Sequence, residues 1–264
     1  MKRYVPFLKS DPTVAVVRLQ GAIGAGGRSA LSDEALRPVL ERAFKRKPAA
    51  VALIINSPGG SPVQSALIGA RIRRLADEKG TPVHAFVEDV AASGGYWLAC
   101  AADDIRADYG SILGSIGVIS AGFGAHIFLA RQGVERRVYT AGESKSMLDP
   151  FRPEDPEDVE RLKGILDDMH VGFIDWVKSR RGDKLAMDED LFTGRVWLGQ
   201  KAIEMGLIDG LAHMETKMKS LYGDKVKFTR FGRKRSLFSR FGANMAQDAL
   251  AGIEERAAFA RFGL

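Results

Sequence analysis

The chain has 264 residues, 45% of them hydrophobic and 27% charged. That is the composition of a soluble globular protein of one large domain, alone or with an extension, and it excludes wholesale disorder, a collagen-like repeat and a multispan membrane protein. The net charge of +6 is concentrated between Lys225 and Arg240, so the first 223 residues are near neutral and a nucleic-acid-binding role for the whole chain loses its support.

Short apolar runs alternate with helical patterns along the chain, the signature of βαβ units with a parallel sheet. Met1 to Ser10 contains no export signal, since only Val5 to Leu8 is apolar before Lys9. Thr13 to Leu19 reads as a first strand, and Ser32 caps a helix to about Lys45. Ala50 to Ile55 reads as a buried strand. Ser61 and Pro62 then form an N-cap and N1 pair opening a helix to about Glu78, with Val63, Leu67, Ala70 and Arg74 on one face. Pro82 to Val87 is the next strand, and the small residues from Gly94 to Ala101 form a buried helix. Tyr109 to Ala130 lacks charged residues, but its serines and glycines make it poor material for a membrane span. Val134 to Thr140 reads as a strand. The longest helix runs from the Pro-rich stretch at Pro150 to Pro156 to about Arg180, with Val159, Leu162, Leu166, Met169, Phe173 and Val177 at helical spacing. Gly199 to Asp209 reads as a short helix followed by a strand, and Met214 to Tyr222 as a helix.

Two turns could carry chemistry. In Asn56-Ser57-Pro58-Gly59-Gly60, glycines between a strand and a helix can aim backbone N–H groups at a developing oxyanion or a phosphate, or simply make a tight turn. In Val90 to Tyr96, Ser93 stands at a strand-to-helix junction, where a serine is either an accessible nucleophile or an ordinary N-cap. A nucleophilic serine needs a base, and no local pattern selects His84, His126, His170 or His213. Lys145, between Ser144 and Ser146, could serve only if its surroundings favoured the neutral amine; most such lysines are solvated. The single cysteine, Cys100, excludes a disulfide framework and a Cys-based zinc site.

Asn56 to Gly60, Ala92 to Tyr96, Gly114 to Val118, Gly142 to Lys145 and Gly194 to Asp209 follow the order of motifs in the S49 serine peptidases, the signal peptide peptidase A family. Over about residues 13 to 215 the chain resembles a short, single-repeat member. The resemblance implies an α/β fold of repeated ββα units, the Clp protease and crotonase-like fold, over 13–223. Before it lies an N-terminal arm (1–12) and after it a helical or flexible basic, aromatic-containing extension (224–264). It further implies Ser93 as nucleophile, Lys145 as general base, Ser115 as the serine that orients the lysine, and the N–H groups of Gly60 and Gly94 as the oxyanion hole. No cofactor or metal is implied. The partners implied are a peptide or unfolded-protein substrate, of the signal-peptide-remnant type, and other copies of the chain in a homo-oligomeric ring whose sites are shared between protomers.

The membrane anchor of other members is not visible here, so a cytoplasmic location is expected. The basic stretch 225–240, with Phe228, Phe231 and Phe238 interleaved, fits peripheral contact with an anionic membrane as well as a solvated tail or an arm on a neighbouring subunit. Two other readings stay open: a crotonase-like acyl-CoA enzyme that uses the two backbone N–H groups alone, and a non-catalytic ring scaffold.

Overall fold

The computed structural model describes residues 11–24, 30–142, 144–232, 252 and 256–264. It divides into two compact units, 1–116 with 174–264, and 117–173.

The first unit is built on a sheet of β1 (Thr13–Gln20), β2 (Ala50–Ser57), β3 (Val83–Ala92), β4 (Asp104–Ala107), β5 (Ile112–Gly114), β6 (Val196–Leu198), β7 (Gly210–Leu211) and β8 (Lys227–Phe231). The order is β6-β5-β3-β2-β1-β8, with β4 pairing β3 and β7. Every pairing is parallel except β5 with β6. All eight residues of β2 are buried, as a central parallel strand covered on both faces requires.

Helices α1 (Asp33–Lys45) and α2 (Pro62–Lys79) follow β1 and β2. Each starts at its expected cap: the Ser32 hydroxyl accepts from Ala35 N and the Ser61 hydroxyl from Gln64 N. The four residues spaced for one face of α2 share its exposed face. Val63, Leu67, Ala70 and Arg74 are exposed, while Ser65, Ile68, Gly69, Ile72, Leu75 and Ala76 are buried. Small residues let α2 approach its neighbours closely: a Cβ at Gly69 would stand 3.2 Å from the Trp97 ring.

The short helix α3 (Gly94–Ala99) follows β3. Helix α5 (Pro156–Arg181) is the longest; its residues from Ile174 onward belong to this unit, where Trp176 stacks on Trp97 at 5.9 Å. After α6 (Gly199–Glu204), the strand expected before Asp209 does not form, and the two-residue β7 begins only at Gly210. Leu207 and Ile208 instead make a buried turn whose amides both return to the carbonyl of Ala202.

Helix α7 (Met214–Tyr222) lies where expected. Met218 is buried with Val14, Val16, Ala50, Ala52, Ile54, Phe86 and Val226, and Phe228 packs against that cluster. β8 pairs β1 over Thr13 to Val17, so the sheet continues past the boundary expected at Gly223. Lys227 and Arg230 sit on this edge strand, where charge discourages further pairing. Part of the stretch expected to meet a membrane is therefore committed to the sheet; 233–240 lies outside the described residues, and 256–260 is helical.

In the second unit, α4 (His126–Arg131) and the first turns of α5 are its regular elements. Val134 to Thr140, expected as a strand, pairs with nothing in a ladder. β-branched residues favour extended backbone, but a strand exists only where an edge is available to it, and among the described residues this unit holds no strand.

Candidate active site

The first glycine turn is fastened to the loop after β1. The Ser57 hydroxyl donates to Gly21 O at 2.7 Å, Gly21 N donates to Asn56 O, Ile23 N to Gly59 O and Ser61 N to Ile23 O. Glycine is required at two positions here. Gly59 has φ +97°, and a Cβ there would stand 2.8 Å from both Ser93 Cβ and Gly94 N; Gly60 has φ +145°, and a Cβ would lie 2.0 Å from Ile23 O. Ile23 thus frames the turn through its main-chain atoms, a contact that no side-chain pattern could have announced.

Ser93 sits where β3 passes into α3, at φ +52° and ψ −124°. That is an unfavourable conformation for a side chain with a Cβ, of the kind retained when surrounding structure enforces it. Its N–H donates to Gly114 O at 2.8 Å, and its carbonyl receives Tyr96 N and Trp97 N. The hydroxyl makes no capping hydrogen bond, so the ordinary N-cap reading fails and the half-buried Oγ is uncommitted.

The two turns nest together. A Cβ at Gly94 would lie 2.3 Å from Ser65 Oγ and 3.4 Å from Gly60 N, and one at Gly95 would lie 2.3 Å from Ser57 O. Only small residues let β3, α3 and the first turn approach this closely. Among the described residues neither Gly60 N nor Gly94 N donates to a protein carbonyl, leaving two amides on adjoining turns beside one serine.

Behind them α3 is anchored by buried Tyr96, whose hydroxyl donates to Leu207 O at 2.7 Å, and by Arg180, which donates to Cys100 O. Arg181, nearly fully buried, donates to Gly206 O and pairs with Asp209. Cys100 is buried too, and desolvation pushes its thiol up to about 12.

Ser115, at φ +51°, follows the glycine whose carbonyl receives Ser93 N, and its own N–H donates to Arg195 O at 2.7 Å. Ser93, Gly94, Gly60 and Ser115 are therefore neighbours in the first unit. Lys145 belongs to the second, exposed on a turn in which its N–H donates to Gly142 O. The two histidines of the first unit are engaged elsewhere: His84 with Asp104 and Tyr222, His213 with Asp108. Among the described residues no His, Cys, Asp or Glu cluster could hold a metal ion, and no helix is long and apolar enough to cross a membrane.

Comparison with known proteins gives this geometry a family. The protein named Na(+)/H(+) antiporter NhaA of Brucella abortus is 48% identical over the whole of this chain, which covers 39% of that protein. The chain thus spans about two fifths of that relative's length, and the antiporter name stays with the longer protein. A Synechocystis protein named "Putative protease slr0021" is 33% identical over 89% of this chain and 84% of its own. Among solved structures, the membrane-bound stomatin-specific protease 1510-N, a mutant in complex with a substrate peptide, superposes with a TM-score of 0.56 at 14% identity. That match covers 92% of this chain and 100% of the other; it is a likeness of fold, the ClpP and crotonase-like arrangement expected from the motifs. The family model described as Peptidase family S49 matches residues 76–226. With more than half of its length under that model, including β3, Ser93 and the turns beside it, the chain belongs to peptidase family S49.

Proposed function

We propose that this protein is a serine endopeptidase that hydrolyses unfolded or membrane-derived peptides, of the signal-peptide-remnant type, through an acyl-enzyme on Ser93. The observation that carries the reading is the strained, uncapped Ser93 beside the free amides of Gly60 and Gly94. Family membership supplies the reaction class.

In this mechanism Lys145, as a neutral amine, takes the Ser93 proton while Oγ attacks the scissile carbonyl. The carbonyl oxygen becomes an oxyanion held by Gly60 N–H and Gly94 N–H. Lys145 then protonates the leaving amine, and water, deprotonated by the same lysine, attacks the ester and restores Ser93. Ser115 orients the lysine. The resemblance implies that Ser93 and Lys145 of one site come from different copies. The exposed apolar residues of the second unit, Ile119, Phe123, Ile127, Phe128, Val134 and Tyr139, support self-association.

Hydrolysis of a fluorogenic peptide library tests the reading with the native protein beside Ser93→Ala and Lys145→Ala variants of matched oligomeric state. Cleavage is expected in the native protein only, with a loss of at least about 10³-fold in each variant. Full activity in Ser93→Ala, or stabilisation by acyl-CoA esters without any peptidase activity, would replace it with the crotonase-like reading.

A further inference from the structure

The ladder between β2 and β3 has one irregularity, and it lies beside the catalytic turns. Ile55 is opposite Val87, but Ser57 is opposite Ala91. While β2 advances through Asn56 alone, β3 takes up Glu88, Asp89 and Val90. Across the same residues β3 changes its other partner, from β4 at His84 to Val87 to β5 at Val90 to Ala92. A bulge of this kind re-aims the strand beyond it, and what lies beyond is Ser93.

Side chains on both flanks clamp the bulge. From β2, buried Asn56 donates through Nδ2 to Asp89 Oδ2 at 2.6 Å. From the turn before β5, the buried Ser111 hydroxyl lies within hydrogen-bonding distance of the carbonyl oxygens of Val87 and Glu88, and it accepts from Asp108 N at 2.9 Å. The Asp89 carboxylate can only accept, which fixes the Asn56 amide with its nitrogen toward Asp89. Asn56 Oδ1 is then left buried without a hydrogen-bond partner. A buried unsatisfied carbonyl is costly, and a hydrophobic residue would pack in a sheet without that cost.

We infer that the Asn56–Asp89 pair is a positioning device for catalysis: it holds the bulge in the register that sets Gly94 N–H against Gly60 N–H. Asn56 is the penultimate residue of the strand that leads into the turn of Gly60, and Asp89 lies on the strand that delivers Ser93 and Gly94. One hydrogen bond therefore ties together the two backbones that form the oxyanion site. This inference rests on the serine peptidase reading.

The test compares the native protein with Asn56→Ala, Asp89→Ala, their double variant and Asp89→Asn, which keeps an acceptor for Asn56. Two quantities are read: steady-state kcat and KM on a fluorogenic peptide, and the rate of Ser93 labelling by a fluorophosphonate, each on protein with an unchanged circular dichroism spectrum. Each alanine variant is expected to lose about 10- to 100-fold in kcat and in labelling rate, with KM within about twofold. The double variant should lose no more than the worse single one, and Asp89→Asn should remain within about threefold of native. Native kcat in folded Asn56→Ala and Asp89→Ala would overturn the inference and leave the peptidase reading intact. A native protein that neither cleaves nor is labelled would overturn the peptidase reading, and this inference with it.

Discussion

Ser93 and Cys100 flank the same short helix, and their surroundings differ sharply. Ser93 is half-exposed with an uncommitted hydroxyl, whereas Cys100 is buried and its thiol is pushed up to about 12 by desolvation. A fluorophosphonate should label Ser93 in the native protein. A maleimide at pH 8 should label Cys100 only at the rate of unfolding, as mass spectrometry with and without denaturant would show; rapid labelling in the native state would contradict this burial. The glycines also separate by consequence. Gly94→Ala meets a serine hydroxyl that can rotate away, so a folded variant with kcat reduced about 10²-fold is expected. Gly60→Ala meets the Ile23 carbonyl at 2.0 Å and should accumulate little folded protein. The serine and glycine pattern made both turns legible in the sequence. Whether Ser93 was a cap or a free hydroxyl was not, because both uses begin from the same residue at the same junction and only the backbone angles separate them.

Among the elements, α1 and α2 are joined at the end nearest the site. Arg71 donates to both carboxylate oxygens of Asp33 at 2.6 Å, and Gln64 accepts from Asp33 N. The Arg71 hydrogen bond, outweighing desolvation, holds the Asp33 carboxyl below its ordinary 3.8. A carboxylate depressed on folding contributes stability above its unfolded value, and that contribution is lost as pH falls from 3.8 through the folded value. Asp33→Asn should therefore cost about 1–2 kcal/mol near pH 7 and flatten the acid limb below pH 4, measured by urea unfolding across pH. An unchanged acid limb would assign that slope to other carboxylates. The strands β1, β2 and β3 and most helices were readable because apolar runs and caps reported them directly, whereas the short strands β4, β5 and β6 carry too few residues to show a pattern. The buried face of α2 was not, because it is built from Ser65, Gly69 and Ala76 as well as isoleucines, while Val63 and Leu67 stand outside. β8 was hidden for the converse reason: an edge strand carries charge, and Lys227 and Arg230 made it resemble the rest of the basic tail. Membrane contact, if it belongs to this region, then falls to Arg233, Lys234, Arg235, Phe238 and Arg240. Replacing these five with serine should abolish co-sedimentation with vesicles containing phosphatidylserine and leave the melting temperature unchanged; binding that persists would move the contact elsewhere.

At the scale of the whole molecule, the separate placement of Ser93 and Lys145 in two compact units makes site sharing a question of assembly. Mixing inactive Ser93→Ala and Lys145→Ala proteins under conditions of subunit exchange should restore a fraction of native activity, up to about one quarter for random pairing in a site built from two chains. Continued inactivity in demonstrated mixed oligomers would place both residues of each site in one chain. Phe123→Asp should shift sedimentation toward smaller species if the exposed apolar residues of the second unit meet another copy. A resemblance carried by motifs could name the residues of such a site, but a single chain does not write down how copies meet.

The hydrogen bond from Ser115 N to the carbonyl of Arg195, at the antiparallel contact of β5 with β6, also has a consequence in time. Gly114, which receives the Ser93 amide, pairs with Ala92 of β3 on one side, but its other neighbour, Val196 of β6, arrives from about eighty positions later in the sequence. During translation Ser93 leaves the ribosome well before Arg195 and Trp197 do, and until they emerge the loop beside it lacks its outer strand. A nascent chain therefore carries Ser93, the proposed nucleophile, in an unfinished frame, and the site is completed only after the neighbouring polypeptide has had the chance to fold.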